Sequence, residues 1–241
     1  MGNYDNSCNC KKSRLPGCAV MIGLIVLGIF IAKGLGKIAQ RDQYVTVKGL
    51  AEREVMANKV TWTIPYYCVD NDIESLYAKL ESNQEYIIEF LINNGIEAKD
   101  IYVSTPTTKD RLAGQYTPER LEYRYSGDSY ITVSTSNVEK VQELMKQEFR
   151  LIKEGISIGS EYGSGTSAYF EFTDLNKIKP EMVEEATRNA RAVALKFAED
   201  SESDLGSIKR ASQGQFSITS DDTTPQIKNI RVVTTIDYAL E

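Results

Sequence analysis

The apolar positions along the chain change period several times, and each change marks an element. Cys18 to Ala32 reads CAVMIGLIVLGIFIA without a charge. Begun at Leu15, the run has 18 residues, roughly 27 Å as a helix and just short of a hydrocarbon layer of about 30 Å. Lys33 extends the fit by snorkelling its ammonium to the interface. From about Gln43 alternation takes over. Tyr44-Val45-Thr46-Val47-Lys48 predicts a strand that stops at Gly49, and Val60, Trp62, Ile64, Tyr66 and Cys68 share one face of a second strand. Pro65 has no N–H, which puts that strand at an edge or at a bulge. Ile73, Leu76, Tyr77, Leu80, Ile87, Ile88 and Leu91 then keep a 3.6-residue period. That predicts a helix capped by Asn71 or Asp72 and stopped at Asn94-Gly95.

Ile101-Tyr102-Val103-Ser104 reads as strand, followed by a polar stretch through about Arg120. Tyr123-Arg124-Tyr125 and Tyr130-Ile131-Thr132-Val133 read as strand again. Ser136 with Glu139 forms a capping box, and Val138, Val141, Leu144, Met145 and Phe149 stripe a second helix that Gly155 ends. A glycine-rich turn, Gly159 to Gly165, leads into the strand Tyr169 to Phe172; no Lys-Ser or Lys-Thr follows it, so it is not a phosphate loop. A third helix starts near Pro180, a good first-turn residue. Its inner stripe is Val183, Ala186, Ala190, Val193, Ala194 and Phe197, with Glu184 and Arg188 supporting the outer side. Leu205 to Ala211, Gln215 to Ile218 and Ile230 to Tyr238 close the chain as strands, with a turn at Thr224-Pro225. The order β-β-α-β-β-α-β-α-β-β predicts an α+β fold with largely antiparallel sheets.

Composition narrows the function. In 241 residues with a net charge of −6 there is no histidine, which excludes Ser-His-Asp and Cys-His catalysis and histidine pH switching. The acidic balance argues against nucleic acid. Of Cys8, Cys10, Cys18 and Cys68, three precede the first folded strand, so no disulfide framework is expected within the fold, and Cys68 reads as a small buried hydrophobe. Lys11, Lys12 and Arg14 before the apolar run keep the N-terminus cytoplasmic, and the large C-terminal part is then exported. A cleaved signal ending at Ala39 competes with an uncleaved anchor, but Lys37 is a poor residue two positions before the cut. Leu15-Pro16-Gly17-Cys18 resembles a lipoprotein box, yet lies before the apolar run. The layout expected is a cytoplasmic tail over 1–14, a transmembrane anchor over 15–39 and a folded extracytoplasmic domain over 43–241.

No catalytic, cofactor or metal residues stand out. The carboxylate pairs Asp70 with Asp72, Glu184 with Glu185 and Asp221 with Asp222 lack the facing geometry that acid–base work needs. Arg188, Asn189 and Arg191 form the best polar cluster. Arg188 and Arg191, three residues apart, would fork onto a carboxylate or phosphate, or pair with Glu184 and Glu185. Arg231 and Asp237 share the polar face of the last strand, which suits cross-strand pairing. Fourteen tyrosines, concentrated near strands, would line an assembly surface or be ordinary sheet residues.

Four stretches carry a family resemblance. They are Tyr44-Val45-Thr46-Val47-Lys48-Gly49-Leu50-Ala51-Glu52-Arg53-Glu54-Val55, Lys179-Pro180-Glu181-Met182 with Glu185-Ala186-Thr187-Arg188-Asn189-Ala190-Arg191, Gln213-Gly214-Gln215-Phe216-Ser217-Ile218, and Ile230 to Tyr238. In this order they resemble bacterial SIMPL-domain proteins of the membrane-anchored subgroup. The resemblance implies an α+β domain of mainly antiparallel sheet packed with about three helices, preceded by one transmembrane helix. It implies a single-pass protein of the bacterial inner membrane with its domain in the periplasm or outside the cell. Some members of the family are linked to oxidative stress and some to ring-like self-assembly, and no catalytic residues are established to carry over. The function expected is that of a non-enzymatic, homo-oligomeric envelope protein, with Arg188, Asn189, Arg191 and Arg231 as ligand or interface candidates and the ligand unknown. An extracytoplasmic ligand-binding module and a carboxylate-dependent hydrolase are the alternatives.

Overall fold

The computed structural model describes residues 21–31, 43–113, 122–161, 163 and 165–241. The tail over 1–14, with Cys8 and Cys10, and Cys18, Lys33 and Lys37 lie outside the described residues. Of the expected anchor over 15–39, residues 21–31 are described and form helix α1, whose large apolar side chains are all exposed. Among the described residues no helix is long and apolar enough to cross a membrane.

The rest is mixed α+β with antiparallel sheets and four helices. Its described residues divide into a larger unit, within 51–185 and 215–232, and a smaller one, with those up to Leu50, 186–214 and 233–241.

In the larger unit, β2 (Lys59–Asp70) is the central strand of a sheet ordered β3-β5-β2-β6, where β3 is Ile101–Val103, β5 Tyr125–Thr135 and β6 Ser167–Glu171. β4 (Thr107–Asp110), inside the polar stretch that follows Ser104, also pairs with β5. Val60, Trp62, Ile64 and Tyr66 are fully buried, as their alternation predicts, and Cys68 packs against the same core. Pro65 does not mark an edge. The β2–β5 register runs unbroken through Pro65↔Tyr130. On the other side β6 pairs only as far as Thr63, so the missing N–H falls just beyond that ladder, where the Pro65 carbonyl accepts from Gly159 N–H at 2.8 Å.

Helix α2 (Ile73–Asn93) lies on β2 and β5 through Leu76, Leu80, Ile87 and Leu91. Asp72 caps it, accepting from Ser75 N–H at 2.8 Å, and Gly95 ends it at φ +91°. β5 joins the two short runs read as separate strands, because Gly127 between them makes room for that helix. A Cβ there would lie 2.6 Å from Leu80 Cδ1. The second expected helix is two, α3 (Val138–Met145) and α4 (Phe149–Lys153), so four helices replace about three. Its cap is Asn137, which accepts from Lys140 N–H at 3.2 Å, rather than Ser136, and Phe149 is half-exposed rather than in the stripe.

Helix α5 (Leu175–Asp200) starts five residues before Pro180. Its buried line is a strict four-residue repeat, Met182, Ala186, Ala190, Ala194 and Ala198, while Val193 and Phe197, expected inside, are 41% and 56% exposed. In the smaller unit, Ala190 and Ala194 pack on Val47, Ile236 and Tyr238. The strand β1 (Tyr44–Met56) does not stop at Gly49 but runs through it, since glycine is what lets α5 come that close. The last strand, β9 (Ile227–Leu240), neighbours β1 and pairs with β7 (Leu205–Gln213) and β8 (Ser217–Thr219).

Candidate functional site

The four residues singled out from the sequence do not converge. Asn189 donates from Nδ2 to the Leu50 carbonyl at 2.8 Å, tying α5 to β1. Arg231 Nε lies 3.3 Å from Glu52 Oε1, the cross-strand pairing its position implied. Arg188 and Arg191 are exposed on α5 and make no ion pair among the described residues, and Glu184 does not pair with Arg188. Glu185 instead shares Arg53 with Glu181, at 3.6 and 2.8 Å. The Arg53 guanidinium holds the Glu181 carboxyl below its ordinary pKa. Glu52, Arg53, Glu181, Glu185 and Arg231, all from family-like stretches, thus pair with one another on the surface, where such pairs contribute little stability.

The carboxylate pairs are also occupied locally. Asp70 accepts from Lys79 Nζ at 2.6 Å, Ser75 Oγ at 2.7 Å and the Asn71 and Asp72 N–H groups, while Asp72 caps α2. Asp221 accepts from Thr223 N–H at 2.7 Å, closing a turn. Burial pushes the Cys68 thiol pKa up, partly opposed by Lys79 and by the Asn83 amide, which donates to Sγ at 3.1 Å. A raised pKa leaves this thiol a poor nucleophile.

Two features remain open. The first is the outer face of the larger unit's sheet, opposite the one that α2 covers. The register puts Tyr102, Tyr130 and Tyr169 on it, together with Thr61, Thr63 and Thr132. The three tyrosines are 57%, 51% and 63% exposed. Their rings offer rigid apolar area with a hydrogen-bonding tip, the chemistry enriched at protein interfaces.

The second is a cleft of about 440 Å³ in the larger unit, between β6 and the β8–β9 pair. Lys228 contributes to its lining and is only 8% exposed. Its Nζ donates to Ser220 Oγ at 3.1 Å and stands 6.0 Å from the centre of the Tyr169 ring. Among the described residues no carboxylate lies within ion-pair range of it. Sequence reasoning missed Lys228, although the signal was there. It keeps the parity of Ile230, Val232, Ile236 and Tyr238, so the same alternation that sends those inward sends a lysine inward.

The model of the SIMPL family, described as a protein of unknown function (DUF541), matches residues 45–233. No curated protein matches the chain.

Proposed function

The chain belongs to the SIMPL family, and from that premise we propose that it is a non-enzymatic, membrane-anchored envelope protein that acts through contact with copies of itself or with a partner. The segment over 15–39, built on the apolar run over 15–32, is its single-pass anchor in a bacterial inner membrane, and residues 43–241 form the domain outside it, with a role in tolerance of envelope or oxidative stress. The observation that carries the contact reading is the open sheet face with Tyr102, Tyr130 and Tyr169 exposed. A monomer has no reason to hold three large rings in water on one pleated face, whereas a second surface laid on that face removes them from it. Val193 and Phe197 on α5 repeat the theme, with alanines turned in and larger apolar residues turned out. Anchoring confines copies to two dimensions and raises their effective concentration, so weak contacts count. Gly23 and Gly28 lack the four-residue spacing of close-packing helix pairs, which leaves the folded domain as the main contributor.

Sedimentation of the full chain in mild detergent, beside the fragment from Arg41 onward, tests this. Both should be oligomeric at high micromolar concentration, and Tyr130→Ser with Tyr169→Ser should shift both toward monomer. Monomers throughout would end the assembly reading. For topology, a cysteine placed at the exposed Ser212, in a chain otherwise free of cysteine, should react with an impermeant thiol reagent in intact spheroplasts. Reaction only after lysis would overturn the orientation.

A further inference from the structure

We propose that Lys228 makes the cleft between β6 and the β8–β9 pair a binding site for an organic monocarboxylate with an apolar body. Its side chain enters the cleft from strand β9, where Ile218↔Ile230 and Thr219↔Asn229 fix the register with β8. That register sets Lys228 diagonally across from Ile218, within reach of a long side chain. An ammonium carries three N–H donors, and one is used, toward Ser220. A charge this deeply buried is costly unless an anion faces it. The carboxylate in the lining, Glu171, is engaged by Lys59 at 3.7 Å instead. The fold therefore presents a largely buried ammonium, with two donors unused among the described residues, to whatever enters the cleft.

The rest of the lining defines the guest. Tyr169, Phe172 and Ile218 supply apolar walls, and Ser220 supplies one hydroxyl beside the ammonium. A volume of about 440 Å³ lies within the usual range for small-molecule sites. A phosphate dianion is ordinarily held by an Arg fork, several convergent N–H groups or a helix N-terminus. One lysine and one hydroxyl instead match a single negative charge, and the aromatic walls match a hydrophobic body attached to it. Tyr169 borders both the open sheet face and the cleft, but the inference rests on Lys228, and its readout, discrimination between acid and amide, can fail while the oligomeric state stands, and the reverse.

The probe pair is 2-naphthoate and its neutral amide, 2-naphthamide, titrated calorimetrically into the full chain in mild detergent. The acid should bind at least about tenfold more tightly than the amide, the discrimination expected of one charge-assisted hydrogen bond. Lys228→Met should bind both alike and melt no lower than the parent, because a buried unpaired charge has been removed. Ile218→Glu, at a half-exposed rim position, keeps the test alive if Lys228→Met does not fold. Its carboxylate should pair with the ammonium and abolish naphthoate binding. Equal binding of acid and amide by the parent, absence of binding, or a preference that survives in Lys228→Met would overturn the proposal. Displacement of naphthoate by an equal concentration of inorganic phosphate would overturn the assignment of the ligand class.

Discussion

Replacing Gly49 with alanine adds one methyl group, and the structure decides the sign of its effect. Gly49 does not have a positive φ, so alanine fits the backbone there. On the unfolded-state argument alone, Gly49→Ala should stabilise by about 0.4–1 kcal/mol, because the denatured chain loses freedom. The packing says the opposite. A Cβ at this position would overlap the Ala186 carbonyl oxygen, lie 2.5 Å from the Ala190 nitrogen and 2.8 Å from the Ala190 methyl. Non-bonded heavy atoms rest at about 3.5 Å, so clearing the Ala186 carbonyl would need α5 to retreat by about 1.5 Å. Two of the three obstructing atoms are helix backbone and cannot rotate away. The small core of Val47, Ala190, Ala194, Ile236 and Tyr238 would open along the same line. Overpacking of this kind costs about 1–3 kcal/mol, and here the upper end applies, for a net loss of about 2–3 kcal/mol after the entropic gain. For a domain of this size that lowers the melting temperature by roughly 4–12 °C. Thermal unfolding of the full chain, followed by near-ultraviolet circular dichroism, reads it directly. The companion Gly49→Ala with Ala190→Gly should recover only part of the loss, since the overlap with the Ala186 carbonyl persists and glycine costs about 1 kcal/mol inside a helix. A single variant that melts at or above the parent temperature would refute the close-approach argument.

Two further outcomes are expected in the larger unit. Trp62, fully buried, should emit at a wavelength typical of an apolar site, and Trp62→Ala should cost about 3–5 kcal/mol in urea denaturation. Trp62→Phe should lose less than half of that, because the indole N–H it removes has no hydrogen-bond partner among the described residues, whereas equal losses would mean the ring is not confined. The Asp70 carboxyl is held well below the ordinary carboxylate range, first by the Lys79 ammonium, then by the Ser75 hydroxyl and the Asp72 and Asn71 N–H groups. A depressed folded-state pKa means that its contribution is present above the unfolded value near 3.9 and is lost as pH falls toward the folded one. Asp70→Asn should therefore lower the urea midpoint at neutral pH, with the gap to the parent narrowing progressively below about pH 4. A gap independent of pH would contradict this ion-pair account.

The elements that sequence alone determined are those whose signal lies within a few residues. Trp62 and its neighbours alternate because a strand does, and the core accepted that whole face. Asp72 at the start of α2 and Gly95 past its end act through bonds to groups one turn away, so their roles are readable without knowing what the helix packs against.

Tertiary structure decided wherever a residue's role depends on a distant segment. Gly49 and Gly127 look like stops because glycine usually interrupts a strand, yet both continue one, since helix atoms occupy the space a Cβ would take. The expected stripe of α5 held Ala186, Ala190 and Ala194, which are buried, but also Val193 and Phe197, because the sequence does not say how close the helix comes to its sheet. Close approach to β1 admits only the alanines, and it leaves Val193 and Phe197 in water. Pro65 could stand in a central strand because β6 ends two residues short of it, a fact about another strand's length. Arg188 and Arg191 were prominent in sequence for their spacing, but among the described residues neither makes an ion pair. Lys228 carried no motif at all. Alternation alone sends it inward, and only the fold surrounds it with Tyr169, Ser220 and a cleft, with no carboxylate paired to it among the described residues.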